Sequence, residues 1–204
     1  ETLGIRHLHA VIGISMGGMQ AFDWALRYPG FMDKIVSAVG TPRQTSYDIL
    51  LWNAQLEAIE NLADDDYENT VRLVASIDNL ATFTPGYVAK NTAPAAFEAY
   101  LQQSVESVRR RGLEDRVPQL RAIILHDIFA GFDGSMQSAA DAIEAEMLII
   151  VSPEDHMVNP MPSREFAEVA GAGLIELPGD CGHIAVACAK DEMTAAVLSF
   201  LKSP

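Results

Sequence analysis

Two things are scarce in this 204-residue chain: cysteine, which occurs twice, and positive charge, with 14 Lys and Arg against 28 Asp and Glu. Two cysteines, Cys181 and Cys188, cannot build a disulfide framework. Placed on a loop and the helix after it, they read as reduced thiols in a cytoplasmic protein. The cation deficit leaves a formal net charge of −14. Such a surface repels nucleic acid and anionic membranes, which excludes both as partners. Uninterrupted apolar runs of about 18 residues, the length a membrane span needs, are absent. The opening Glu1-Thr2-Leu3-Gly4-Ile5-Arg6 lacks the basic stretch and apolar run of a signal peptide. Internal repeats and low-complexity tracts are missing as well.

What is present is a core-forming composition, 49% apolar, in a length that suits one domain with an insertion. Leu8–Ile12 is a short apolar run, as expected for a strand buried on both faces of a parallel sheet. A glycine-rich turn, 13–18, leads into helical spacing over Met19–Tyr28, which Pro29-Gly30 stops. Lys34–Val39, Met147–Val151 and Gly173–Leu177 read as further strands, and Asp191–Leu201 as a closing amphipathic helix. Strands alternating with helices predict an α/β fold with a parallel sheet. Residues 44–135 have little strand character. Ser46–Leu62, Asp66–Leu80, Ala95–Arg111 and Val117–Phe129 have helical spacing, with turns at Pro85-Gly86 and Thr92-Ala93-Pro94. The chain therefore divides into a core, 1–43 and 136–204, and a helical cap, 44–135.

The chemistry concentrates at Gly13-Ile14-Ser15-Met16-Gly17. A G-x-S-x-G segment between a buried strand and a helix turns sharply and lifts the serine Oγ above the sheet edge. Side chains at Gly13 and Gly17 would obstruct that turn, and Gly18 lets the helix pack closely. The nearby helix N-terminus favours developing negative charge, and the backbone N–H of Met16 is the expected oxyanion donor. A serine nucleophile needs a base, and the base an orienting acid. The third strand ends at Ser152-Pro153-Glu154-Asp155-His156 and the fourth at Leu177-Pro178, followed by Gly179-Asp180-Cys181-Gly182-His183. Both loops leave carboxyl strand ends, where catalytic residues of such sheets gather. Ser15, Asp155 and His183 thus form the expected triad, with Glu154 the alternative acid.

Other polar residues read as structural. His156 suits a loop contact. His7 and His9 share one side of a buried strand without the third ligand a metal site requires. His126-Asp127 falls in a helix, where neighbours do not face each other. Cys181 suits packing better than reactivity, since only the histidine near it is cationic.

The segment from Ala10 to Ala21, with its Ser15-Met16-Gly17-Gly18-Met19-Gln20 run, resembles the nucleophile segment of the homoserine O-acetyltransferase family of α/β hydrolases. Trp24, Ala25 and Tyr28-Pro29 continue the likeness, as do the helical insertion, the Asp155 loop and Gly182-His183. The resemblance implies the α/β-hydrolase fold, the Ser15–Asp155–His183 triad, and a cap that helps form a homodimer. It implies acyl transfer with no bound cofactor, acetyl-CoA serving as acyl donor, and homoserine as the family's usual acceptor. Two departures stand out. The catalytic histidine is followed by Ile184-Ala185, where family acyltransferases carry an aspartate that holds the acceptor. The cap arginine that pairs with the acceptor carboxylate is expected around residues 72–80, where only Arg72 is found. An α-amino acid needs both charges matched, so the departures point to another acceptor, water included.

The expectation is therefore serine-dependent acyl transfer on a small-molecule ester or thioester, by an esterase-like hydrolase or an acyltransferase. The alternatives are a true homoserine O-acetyltransferase and a silent binding module on the same fold. The resemblance also implies about four strands ahead of the nucleophile strand, where this chain has seven residues. That predicts an exposed apolar edge on the strand and a second oxyanion donor contributed from outside the chain.

Overall fold

The computed structural model describes residues 3–203. Four strands, β1 (Leu8–Ile14), β2 (Met32–Ala38), β3 (Glu146–Val151) and β4 (Gly173–Glu176), lie in sequence order in one parallel sheet. In register, Ile12 pairs with Val36, Val36 with Leu148, and Leu148 with Gly173. Alternate residues of a strand face opposite sides, and the two faces meet different helices. Ile35, Met147 and Ile149 pack with Phe22 of α1 (Met16–Arg27) and Phe166 of α8 (Met161–Ala170). Val36, Leu148 and Ile150 pack with Ala185 of α9 (Ala185–Cys188) and with Met193 and Val197 of α10 (Lys190–Lys202). The result is a parallel sheet clad on both faces, as the α/β expectation requires.

Between β2 and β3 run α2 (Ser46–Leu62), α3 (Tyr67–Thr82), α4 (Pro85–Asn91), α5 (Phe97–Arg111), α6 (Arg116–Ile124) and α7 (Met136–Asp141). A separate apolar cluster holds α2, α3, α5 and α6 together through Trp52, Ile59, Val74, Val105 and Leu120. Thr45 starts α2 with a reciprocal cap: its hydroxyl accepts from the Asp48 N–H, and its own N–H donates to the Asp48 carboxylate. The second oxygen of Asp48 accepts from the Asn159 N–H at 2.9 Å. The start of α2 is thereby tied to the loop after β3.

The structure corrects several expectations. Pro85-Gly86 is no turn but the start of α4: Thr84 caps it, and proline suits a first helical position. Helix α6 ends at Ile124, so His126-Asp127 lies beyond it. There the backbone pairs with residues 42–44 instead, through Gln44 N–H to His126 O and Ile128 N–H to Pro42 O. β1 is not buried on both faces. Among the described residues it pairs only with β2, leaving Ile12 and Ile14 half-exposed. His7 and His9 are likewise exposed; both contact the Asp33 carboxylate. No helix among the described residues is long and apolar enough to cross a membrane.

Cys181 and Cys188 are not reduced: they form a disulfide. The turn at Gly182–Ile184 and α9 fold the chain back, bringing the two Cα atoms to 6.6 Å, within bonding span. The reading of a cytoplasmic protein, which rested on free thiols, loses that support. A loop this short restricts the unfolded chain by about 2.5 kcal/mol on the chain-entropy relation. The Cys181→Ala/Cys188→Ala variant is therefore expected to lose about 2 kcal/mol in urea unfolding. Thiol titration of the unreduced, denatured protein should find none free.

Burial pushes the His126 imidazole below its ordinary value, although Asp23 and the Thr41 carbonyl act against this. The folded protein holds this ring neutral, while the unfolded chain protonates it near 6.5. Between the two values the unfolded state binds the extra proton. The resulting stability is complete above that range and is lost as pH falls through it, by up to about 1.4 kcal/mol per pH unit. Urea midpoints measured from neutral to mildly acidic pH should fall less steeply in His126→Gln. Comparing the two proteins separates this effect from the opposite contribution of His7, which Asp33 raises.

Candidate active site

Ser15 sits between β1 and α1 with φ 56° and ψ −122°, a backbone state that non-glycine residues rarely adopt. Its N–H donates to the Ala38 carbonyl at 2.8 Å, anchoring the turn to the end of β2. Gly13 makes the turn sterically feasible, because a Cβ there would lie 1.8 Å from the Gly17 carbonyl oxygen. Gly17, expected to be equally crowded, has open space where its Cβ would stand. The crowded partner is Gly18, whose Cβ would meet Ser37 Oγ at 2.7 Å. Met16 opens α1, so its N–H has no intrahelical acceptor, and it lines the same cleft as Ser15.

The two later strand ends bring their residues to this turn. His183 Nε2 lies 2.8 Å from Ser15 Oγ. His183 Nδ1 lies 2.7 Å from Asp155 Oδ2. The other Asp155 oxygen accepts from the Met157 and Val158 N–H groups, each at 2.9 Å. The Asp155 side chain is 1% exposed and that of His183 11%. A buried carboxylate held by two backbone N–H groups orients the ring, whose far nitrogen faces the hydroxyl. Glu154, the alternative acid, is exposed and makes no ion pair among the described residues.

The cap holds the histidine loop from the other side. Thr84 Oγ1 donates to the Asp180 carbonyl at 2.5 Å. Gly182 has φ +68°, and a Cβ there would lie 2.7 Å from the Thr82 carbonyl. With the Cys181–Cys188 bond bracketing His183, the ring is restrained from three directions.

A cleft of about 300 Å³ opens in front of Ser15, lined by Met16, Trp52, Asp78, Arg111 and Arg116 among others. Arg116 donates to the Asp78 carboxylate and to Gln55 Oε1. Burial pushes the Asp78 carboxyl up and the Arg116 guanidinium down, each opposed by the charge of the other. Arg111 makes no ion pair among the described residues and hydrogen-bonds only Ser107, at 3.3 and 3.4 Å, although its charge also acts on Asp78. The cleft thus carries two cations and one anion.

Arg72 is not part of the cleft. It lies on the surface and pairs with Glu98. Sequence reading missed Arg111, which follows Arg109 and Arg110. The available signal was helical phase: Leu101, Val105 and Val108 form the buried stripe of α5, and Arg111 lies one turn further along it. Among the described residues no group of three or more His, Cys, Asp and Glu side chains is placed to hold a metal ion.

Comparison with known proteins follows the same lines. Residues 1–186 match the family model for the alpha/beta hydrolase fold. Homoserine O-acetyltransferase of Haemophilus influenzae is 29% identical over 210 residues, which cover 90% of this chain and 58% of that protein. The acetyl esterase MekB superposes with a TM-score of 0.87 at 19% identity, covering 100% of this chain and 64% of the other. Homoserine O-acetyltransferase from Bacillus anthracis gives 0.86 at 21%, covering 99% and 62%. The chain therefore spans about 60% of the length of the proteins it matches.

Proposed function

Since the chain belongs to the alpha/beta hydrolase fold family and is related to homoserine O-acetyltransferases and esterases, we propose that it catalyses acyl transfer through an acyl-serine intermediate. The observation that carries this reading is the hydrogen-bonded line from Ser15 through His183 to Asp155. In this mechanism Ser15 Oγ attacks the carbonyl carbon of an ester or thioester while His183 Nε2 takes its proton. The tetrahedral oxyanion accepts from the Met16 N–H. The C–O or C–S bond then breaks, and His183 returns the proton to the leaving alkoxide or thiolate. Water or an acceptor hydroxyl, deprotonated by His183, attacks acyl-Ser15; the acyl–Oγ bond breaks, His183 returns the proton to Ser15 Oγ, and the acid or the new ester leaves. Asp155 stabilises the imidazolium formed at each proton transfer.

Arg111 supports a second reading, acetylation of homoserine from acetyl-CoA. Its unpartnered guanidinium in the cleft suits the carboxylate of an amino-acid acceptor. Against it stands Ile184-Ala185, which provides no anion for the acceptor's ammonium group.

Stopped-flow mixing with 4-nitrophenyl acetate tests the first reading. A burst of nitrophenol, with mass labelling of Ser15 by a fluorophosphonate, is the expected result. CoA release from acetyl-CoA that depends on added homoserine would transfer the assignment to the second. A protein with neither burst nor label is a binding module.

A further inference from the structure

Three adjoining hollows run through the cap, and their walls change chemistry along one line. The cleft at Ser15 shares Asp78, Thr82 and Arg111 with a narrow neck of about 120 Å³ between α3 and α5. The neck shares Asn79 and Phe83 with a larger chamber of about 510 Å³ between α3, α4 and the start of α5. The wall of α5 supplies one side throughout. Arg111 lines the cleft that holds Ser15; Ser107 and Ser104 line the neck, and Tyr100 and Phe97 line the chamber. These positions repeat every three or four residues, so they form one stripe of the helix. At 1.5 Å per residue the stripe is about 21 Å long. It passes from a cation, through two hydroxyls, to aromatic rings.

The rest of the chamber wall is mostly apolar, with Leu80, Phe83, Val88, Ala89 and Pro94, and Ser76, Asn79 and Thr92 add polar groups to it. Leu80 is 78% exposed and Phe97 49%. Concave apolar surface held open to water is a common mark of a binding site. It shares walls with the neck, and the neck shares walls with the nucleophile cleft, so the occupant these walls favour is a long molecule held at Ser15 and extended along α5.

We propose that the chamber binds the apolar tail of the substrate, whose reactive carbonyl lies at Ser15 and whose polar middle section faces Arg111, Ser107 and Ser104. The substrate class is an amphiphilic ester, such as an ester of an N-acylated amino acid with a long acyl chain. This rests on the acyl-transfer reading of Ser15. Each methylene buried in the chamber strengthens binding about fourfold.

The test uses the ethyl esters of N-acetylglycine, N-hexanoylglycine and N-decanoylglycine. kcat/KM is expected to rise at least tenfold from the acetyl to the decanoyl compound. Ala89→Trp, which fills the chamber from α4, should cut the decanoyl-to-acetyl ratio at least tenfold, with an unchanged circular dichroism melt. In parallel, the Ser15→Ala protein should bind dansyl-undecanoic acid and release it to the decanoyl ester more readily than to the acetyl ester. Hydrolysis with a flat chain-length profile overturns the proposal and leaves the Ser15 chemistry standing. Chain-length-dependent displacement without any hydrolysis supports the chamber and removes the Ser15 chemistry. A concentration-dependent dimer abolished by Leu80→Asp, with a flat profile, assigns the chamber to a second copy and overturns the proposal.

Discussion

Ser15→Ala is expected to lower kcat for ester hydrolysis by about 10⁶-fold, the scale on which serine-histidine units fail when the nucleophile is removed. The substitution deletes the atom that forms the acyl bond in the proposed mechanism and leaves His183 and Asp155 in place. Its effect on stability should be small, because alanine must adopt the same φ of 56°. Ser15→Gly separates the two roles of the position. Glycine visits positive φ freely, and the strain a non-glycine residue stores there is about 1–3 kcal/mol. Ser15→Gly should therefore be as inactive as Ser15→Ala and more stable than it by about 1 kcal/mol, after the larger chain entropy of glycine is subtracted. Steady-state assays and urea denaturation of the two variants check both halves. Equal stabilities would mean that the elbow carries no strain.

The elbow was legible because its demands are local. An apolar run, a glycine where a Cβ would meet the next turn's carbonyl, and helical spacing afterwards all lie within one short stretch. The partners were legible because each leaves the end of a readable strand, although His183 lies 168 positions from Ser15. What the linear pattern does not carry is pairing between distant segments. The phase of α5 distinguishes Arg111 from Arg109, yet only the packing of α3 against α5 shows that Arg109 is engaged by Glu68 and Glu106 while Arg111 is left over. Arg72 sat in the expected segment, and its capture by Glu98 depends on a helix 26 residues away. Residues Cys181 and Cys188 read as thiols because a sequence separation of seven says nothing about the path between them, and a tight turn followed by one short helix closes it. His7 and His9 read as buried because they flank and enter an apolar run, yet both rings are exposed on a strand that pairs only with β2 among the described residues.

Asp155→Asn is expected to cost about 10⁴ in kcat, the magnitude known for a triad whose histidine is held in the wrong tautomer. The surroundings of Asp155 dictate that outcome. Oδ1 already accepts from two N–H groups, of Met157 and Val158. An asparagine must put its oxygen there, because an amide nitrogen would face two donors. The NH₂ group is then aimed at His183 Nδ1, which has to accept, so the ring's proton moves to Nε2. That nitrogen faces Ser15 Oγ and, already protonated, cannot take the hydroxyl proton. The fold is untouched, since the amide preserves both backbone contacts. The loss should therefore fall on kcat more than on KM, and it should recover as pH rises and hydroxide takes over as base. Glu154→Gln, one residue earlier and exposed, changes a charge of the same sign nearly as close in sequence. It should leave the rate within about twofold, as surface substitutions outside a functional contact do. If instead Glu154→Gln removed the activity and Asp155→Asn spared it, the acid would be the other carboxylate, and the loop after β3 would have to turn its exposed residue inward during catalysis.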